Sequence, residues 1–346
     1  MLKSITLKNV RCFDNRLFEF EDGVNLIVGQ NGSGKTTLIE SVALFSLGKF
    51  LSASRDAFVV SSNAQGATVE IDVEGATDVR VSILPSGEKA VLAGANRLSL
   101  SRLVGFIRLI LFNPQTIDLV FGPPQIRRRE LDLVLCQKDP QFLKLLLEYR
   151  HVVRQRNNLL KRLSKSLSKR DELGFWDDLV VEKGLEIYLK RNELVKFLNA
   201  QLSEFHRHLV GRESELMIAY RESCDYDRFA QELAARCDED IRLGQTSVGV
   251  HRDDFDFVEK QFLLKNGASR GEQRMAAIAF KIATKEFFND SNSAPILLLD
   301  DVFSELDDQR RESVASFLGH LQTLISATDE KVVPESLKKK AKLIKI

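Results

Sequence analysis

No stretch of this chain approaches the about 20 consecutive apolar residues that a bilayer-spanning helix needs, so no transmembrane segment is expected. Paired cysteines are missing too. Cys12, Cys136, Cys224 and Cys237 lie far apart, with no C-x-x-C. That argues against a disulfide framework or a cysteine-based zinc site and fits a reducing, cytoplasmic setting. Met1-Leu2-Lys3-Ser4 runs directly into an alternating strand pattern, so a signal peptide is not expected. Internal repeats and long low-complexity linkers are absent, which sets aside a solenoid. There is little excess charge: the formal net charge is +1 over 346 residues, so the molecule as a whole is no polycation.

What is present is a core-forming composition, 44% hydrophobic and 29% charged, at a length that suits one large or two linked domains. The charge is unevenly placed. Residues 122–170 hold thirteen Lys/Arg against four Asp/Glu, a net of +9, which leaves −8 for the rest. A local basic face is therefore expected. Residues 1–30 read as strands, with Asp22-Gly23 as a turn before the strand Val24–Val28. Val69, Ile71 and Val73, then Val79, Val81 and Ile83, alternate with polar residues, and Pro85-Ser86-Gly87 marks a hairpin. Residues 107–112 form a further strand. From residue 127 to about 210 the period becomes helical. Phe142, Leu145, Leu146, Tyr149, Val152 and Val153 form one stripe, and Ile187, Leu194, Leu198, Leu202 and Leu209 another. Two amphipathic helices, each short of a coiled-coil rod, would pair as an antiparallel hairpin across a turn at 168–174. Residues 213–240 carry little signal. Strands are expected again at 247–250, 255–258 and 296–299, a helix from Ser269 and another holding Val314, Phe317 and Leu318. Leu324-Ile325 closes the sheet, ahead of a basic tail. The fold class is α/β. The head takes residues 1–121 and 241–346, and a helical insert takes 122–240.

Three motifs carry chemistry. Residues 25–37 read N-L-I-V-G-Q-N-G-S-G-K-T-T. A buried strand leads into G-x-x-x-x-G-K-T, formed by Gly29, Gly34, Lys35 and Thr36. Glycines let the backbone close on phosphate, and the N–H groups of Gln30, Asn31, Gly32, Ser33 and their neighbours converge at the positive end of the next helix. Lys35 would reach the β- and γ-phosphates of a nucleotide, and the Thr36 hydroxyl would sit on Mg²⁺, with Thr37 following. The competing reading is a Gly-Ser loop that meets a helix by chance. The second motif, Ile296-Leu297-Leu298-Leu299-Asp300-Asp301, is a strand buried on both faces that ends in two carboxylates. Ligands of open α/β sheets sit at the carboxyl ends of strands. Asp300 is then the partner for Mg²⁺, and Asp301 is placed to orient or deprotonate an attacking water. The third motif, Ser269-Arg270-Gly271-Glu272-Gln273, is a capping box. A serine at a helix tip beside Gly271 is also a candidate anion site, and Gln273 is left for the ligand.

In this order, with Ser304-Glu305-Leu306-Asp307 after the acidic strand, these motifs resemble those of ABC/SMC-type ATPases. Gly249-Val250-His251-Arg252-Asp253-Asp254, the segment 123–129, Tyr149-Arg150 and the run 155–161 narrow the resemblance to the RecF family of DNA replication and repair proteins, over nearly the whole chain. The resemblance implies an ABC-type P-loop ATPase head with a mixed sheet and an inserted helical arm, using ATP and Mg²⁺. It implies that Ser269 of one copy completes the nucleotide site of another, so that ATP closes a homodimer and hydrolysis opens it. Lys35, Ser269 and Asp301 would then be catalytic. It implies further a role in recombinational repair at single-strand gaps beside duplex DNA, a RecR-type mediator as partner, help in loading a RecA-type recombinase, and no membrane partner. Three features depart from the pattern. Val250 replaces a proline. Asp301 stands where many ABC ATPases carry Glu, and Thr328 replaces the switch histidine of transporters; both point to slow hydrolysis. Gln115 after its strand is either a ligand to Mg²⁺ or an ordinary turn residue. Arg11, on an early strand turn, is placed either to approach the nucleotide or, as the first expectation, at the surface, and His251 reads as a local hydrogen bonder. Arg127, Arg128, Arg129, Lys161 and Arg162 are expected on DNA phosphates, with no base reading because aromatics do not interleave with them. The rival readings are a structural SMC-like DNA clamp and a transport-type ABC subunit. A nuclease fits poorly, because no second acidic cluster follows Asp301.

Overall fold

The computed structural model describes residues 1–51, 56–289, 294–319 and 321–346. The chain begins with β1 (Leu2–Val10), β2 (Phe13–Glu19), β3 (Val24–Val28), α1 (Lys35–Leu47), β4 (Ala67–Val73), β5 (Val79–Ile83), β6 (Lys89–Ala93), β7 (Asn96–Leu98) and β8 (Leu109–Phe112). Helices follow: α2 (Asp118–Phe121), α3 (Pro124–Lys138), α4 (Pro140–Leu163) and α5 (Leu173–Val210). Then come β9 (Met217–Arg221), α6 (Phe229–Ala235), α7 (Cys237–Leu243), β10 (Asp254–Glu259), β11 (Phe262–Leu263) and α8 (Arg270–Phe287). The chain ends with β12 (Ile296–Asp300), α9 (Asp308–Leu318), β13 (Thr323–Ala327), α10 (Glu335–Lys338) and β14 (Lys342–Lys345). Two units result. One holds residues 1–116, 207–212 and 278–346; the other holds 117–206 and 213–277.

The first unit keeps its antiparallel and parallel strands in separate sheets. The order β2-β1-β4-β5-β6-β7 is antiparallel throughout, and β14-β3-β13-β12-β8 is parallel throughout. Alternation in β1 buries Leu2, Ile5, Leu7 and Val10 and leaves the residues between them more open. Consecutive residues Leu26-Ile27 of β3 and Ile296–Leu299 of β12 are buried on both faces, as central parallel strands require. Both sheets share one core with α1, which includes Leu7, Ile27, Leu38, Phe45, Leu298 and Leu324. The parallel sheet does not close at Leu324-Ile325 as expected. The basic tail adds β14 beside β3. It is short and has a lysine at each end, Lys342-Leu343-Ile344-Lys345, which suits an edge strand, where lysines discourage further pairing.

In the second unit α4 and α5 run antiparallel, pinned by Arg156–Asp177, Lys183–Glu148 and Lys190–Asp139. The 38 residues of α5 exceed the expectation, because buried Leu173 and Val180 extend the stripe by four turns toward its start. At 1.5 Å per residue the helix is roughly 57 Å long. Residues 247–250 are not a strand. Gly249 takes φ 119°, and Ser223 Oγ both donates to its carbonyl and accepts from its N–H. β10 pairs with β11 and with β9, the latter within the stretch that carried little signal. The boundary at 241 also moves. Residues 241–277 join the second unit, since β10 pairs with β9 and Asp254 binds Arg127. Among the described residues no helix is long and apolar enough to cross a membrane.

Candidate functional site

The P-loop leaves β3 at Val28 and enters α1 at Lys35. A Cβ on Gly29 would lie 2.6 Å from the Ile346 carbonyl oxygen, so only glycine fits there. Gly34 sits at φ 107°, where a side chain would meet Cys12 and Phe13. No side chain caps the N-terminus of α1, so its first N–H groups keep their partial positive charge for an anion. Lys35 is buried and folds over the loop, its Nζ donating to the carbonyls of Gly29 at 2.7 Å and Gln30 at 2.9 Å. Gln30, Asn31 and Gly32 are exposed, and Thr37 is buried.

Strand register brings the acids to this loop. Asp300 pairs with Ser326, and Ser326 pairs with Ile27, so the carboxyl ends of β12, β13 and β3 lie side by side. Asp300 Oδ1 accepts from Ser326 Oγ at 2.6 Å and from Thr36 Oγ1 at 3.3 Å. Burial pushes the Asp300 carboxyl above the usual range; the Ser326 and Thr36 hydrogen bonds oppose this, and Asp301 and Glu40 add to it. Asp301 takes φ 53°, a region that aspartate tolerates, and its N–H donates to Ser326 Oγ. Its Oδ1 is buried with no hydrogen-bond partner among the described residues, and so is Ser33 Oγ. Two orphaned oxygens and a paired Thr36–Asp300 couple suit a hydrated Mg²⁺. That ion commonly takes only one or two protein oxygens and draws the rest from water and phosphate. No cluster of three His, Cys, Asp or Glu able to cage a metal occurs among the described residues.

Arg11 was expected at the surface, but the structure places it on α1. At φ 48°, it holds Glu40 at 2.9 Å and donates to Thr37 Oγ1 at 3.3 Å. The strand-turn position in the sequence does not show that Glu40 is its partner. Gln115 is exposed, in the turn just after β8, at the same sheet end as Asp300. Thr328 is exposed just past β13.

In the second unit, Ser269 is exposed at the tip of α8 and forms the expected capping box. Its N–H and Oγ donate to Glu272 Oε2 at 2.9 and 3.0 Å, and the Glu272 N–H donates back to its Oγ at 3.3 Å. Gly271 is half-buried beside it. Gln273 is a correction. Its side chain is buried and donates to the carbonyls of Leu264 and Ala268, so it braces the loop and does not face a ligand. Arg127 is another. It is buried in a two-pronged ion pair with Asp254, at 2.7 and 2.8 Å, and also donates to the Gly122 carbonyl. A guanidinium spent this way has no fork left for DNA phosphate. Arg128 and Arg129 are half-buried, whereas Lys161 and Arg162 are exposed near the end of α4.

Residues 1–345 match the model of the RecF/RecN/SMC N-terminal domain family. The DNA replication and repair protein RecF of Lactococcus lactis subsp. lactis is 33% identical over 347 residues, covering 97% of this chain and 96% of its own. That of Lachnoclostridium phytofermentans is 32% identical over 335 residues, covering 95% and 92%. The chain belongs to the RecF family. A solved structure of the recombination mediator protein RecF with ATP, in the RecFOR pathway, superposes with TM-score 0.89 at 28% identity over 96% of this chain and 93% of that one. The fold is therefore that of a RecF-type ABC ATPase head with its helical arm. RecF-family runs that carried the resemblance prove to be scaffold. Arg156 and Asn157 clamp Asp177, Asp240 and Thr246. Asp253 gathers the hydroxyls of Tyr220 and Tyr226 and the N–H of Ser223.

Proposed function

We propose that this RecF-family chain binds ATP with Mg²⁺ on residues 29–37, Asp300 and Asp301 and uses the nucleotide to pair two copies on DNA. The observation that carries this is the Thr36–Asp300 couple at 3.3 Å beside a buried Lys35 that already points into the loop. In this reading Lys35 exchanges its two carbonyl partners for phosphate oxygens. The glycine backbone and the start of α1 bind the remaining charge. Mg²⁺, when bound, neutralises phosphate charge and orders water. Asp301 accepts the proton of the attacking water, and its short side chain favours slow turnover. Ser269, exposed on its helix tip, serves the nucleotide of a second copy. The exposed Lys161 and Arg162 contact duplex backbone. The setting is single-strand gaps, with a RecR-type mediator and help in loading a RecA-type recombinase; hydrolysis is slow and DNA-stimulated.

The test is light scattering with ATP and Mg²⁺. The unaltered chain should dimerise with ATP, and Lys35→Met and Ser269→Arg should each stay monomeric. Normal dimerisation of either variant would end the shared-site reading. Phosphate release with and without gapped DNA separates an active ATPase from a clamp that only binds nucleotide.

A further inference from the structure

A second basic site lies wholly within the second unit. A pocket of about 320 Å³ is enclosed by α3, α4, α5 and the loop at 250–251. Arg128, Arg129, Arg150 and Arg191 line it, and Asp132 is the only acid in its wall among the described residues. Arg191 is buried and forms the floor, donating to the Val250 carbonyl at 2.6 Å and to Asp132 at 2.8 and 2.9 Å. Arg150, half-exposed, reaches the same carboxylate at 3.4 Å. Arg128 donates to the Asp253 carbonyl at 2.7 Å. Arg129 makes no hydrogen bond or ion pair among the described residues. His251 also lines the wall and adds no charge at neutral pH, since burial holds it near 4. Four guanidiniums thus line the pocket beside one lining carboxylate, Asp132, with Asp253 and Asp254 acting on Arg128 from behind it.

We propose that this pocket binds a phosphate monoester, at a site separate from the P-loop. The uncompensated charge favours a dianion, which a monoester carries and a chain phosphodiester does not. Guanidinium forks match phosphate oxygens in pairs, and two of the four, on Arg129 and Arg150, keep donors to spare. Burial, and after it the neighbouring Arg191, pull the Arg128 guanidinium below its ordinary range, against the opposing pull of Asp254, Asp132 and Asp253. The concave shape matters as well. A duplex backbone in passage lies across a surface, whereas a free mononucleotide or the phosphorylated end of a chain fits into a pocket of this size. Only the chain-end source leans on the DNA reading above; binding of a free nucleotide does not.

The experiment uses the full chain with its P-loop saturated by a non-hydrolysable ATP analogue and Mg²⁺. Calorimetric titrations compare thymidine monophosphate with thymidine, and an oligothymidylate with and without a terminal phosphate. At least one phosphorylated probe should bind tenfold or more tightly than its unphosphorylated partner. The double variant Arg129→Gln/Arg150→Gln, whose side chains hold little of the fold, should lose that difference, and Arg129→Lys should keep part of it. A gain seen with thymidine monophosphate alone assigns a free nucleotide; a gain with the oligonucleotide alone assigns a chain end. Equal binding of all partners, or full binding by the double variant, overturns the proposal. Loss of DNA binding through Lys161 and Arg162 leaves the mononucleotide arm readable.

Discussion

Asp300 and His251 show how single side chains set conditions on this fold. Asp300 is 8% exposed and its carboxyl is raised above the usual range. For a raised carboxyl, the stabilising contribution is full below the unfolded value near 4 and is lost as pH rises through the folded value. At neutral pH the nucleotide-free protein therefore carries a penalty for ionising Asp300. We predict that Asp300→Asn raises stability without nucleotide by up to about 1 kcal/mol, as relief of functional strain often does. The gain should grow between pH 4 and 7 in thermal melts, and stabilisation by ATP and Mg²⁺ should vanish. His251 behaves in the opposite sense. Its Nδ1 accepts from the Tyr149 hydroxyl at 2.8 Å and its Nε2–H donates to the Thr246 carbonyl at 3.1 Å, so the neutral ring is the one that fits. Burial lowers it to about 4 from 6.5. Its contribution is full above pH 6.5 and is lost as pH falls toward 4, on the order of 3 kcal/mol in all. His251→Gln should flatten the melting temperature across that window. An unchanged slope would mean that other groups set the acid limit.

At the scale of elements, the second unit depends on Arg156. This fully buried guanidinium joins Asp177 on α5, Asp240 on α7 and Thr246 Oγ1 from its place on α4. Removing it strands Asp240, which is 0% exposed, as an unpaired buried charge. Arg156→Met should cost about 3–5 kcal/mol in urea unfolding. A loss under 1 kcal/mol would show that water or the α5 carboxylate takes over. In the first unit β14 is the element to remove. Ile346 N–H donates to the Val28 carbonyl at 2.9 Å, and the Lys345 carbonyl accepts from Arg16 at 3.0 Å. Deleting residues 342–346 bares the β3 edge that feeds the P-loop. We predict a lower melting temperature and weaker ATP binding, read by the same melts with nucleotide. The strands and helices around these two elements were legible where periodicity was strong. The tail was not, because four residues with two lysines do not distinguish an edge strand from a solvated end. Residues 247–250 misled for a related reason. Val248 and Val250 are buried like strand residues, but a glycine at positive φ and a serine bridge hold them in a turn.

For the molecule as a whole, the prediction concerns DNA. With Arg127 spent on Asp254, Lys161 and Arg162 are the expected phosphate contacts that stay exposed on the arm. Lys161→Glu/Arg162→Glu should weaken duplex binding and flatten its logarithmic salt dependence by about 2. Arg127→Glu should instead destabilise the second unit, and its DNA affinity per folded molecule should change little. Salt titrations paired with melts separate the two. Unchanged affinity in the double variant would move the DNA surface elsewhere.

Local chemistry alone determined the P-loop, the acidic strand, the capping box at Ser269 and the RecF-type order of motifs, because each rests on residue types at short, fixed spacing. Tertiary structure decided what distance along the chain hides. It set Thr36 against Asp300 and Arg11 against Glu40, turned Gln273 and Arg127 inward, and gathered four arginines around one carboxylate. Those outcomes depend on which buried charge finds which partner after folding, and no pattern along the chain records that choice.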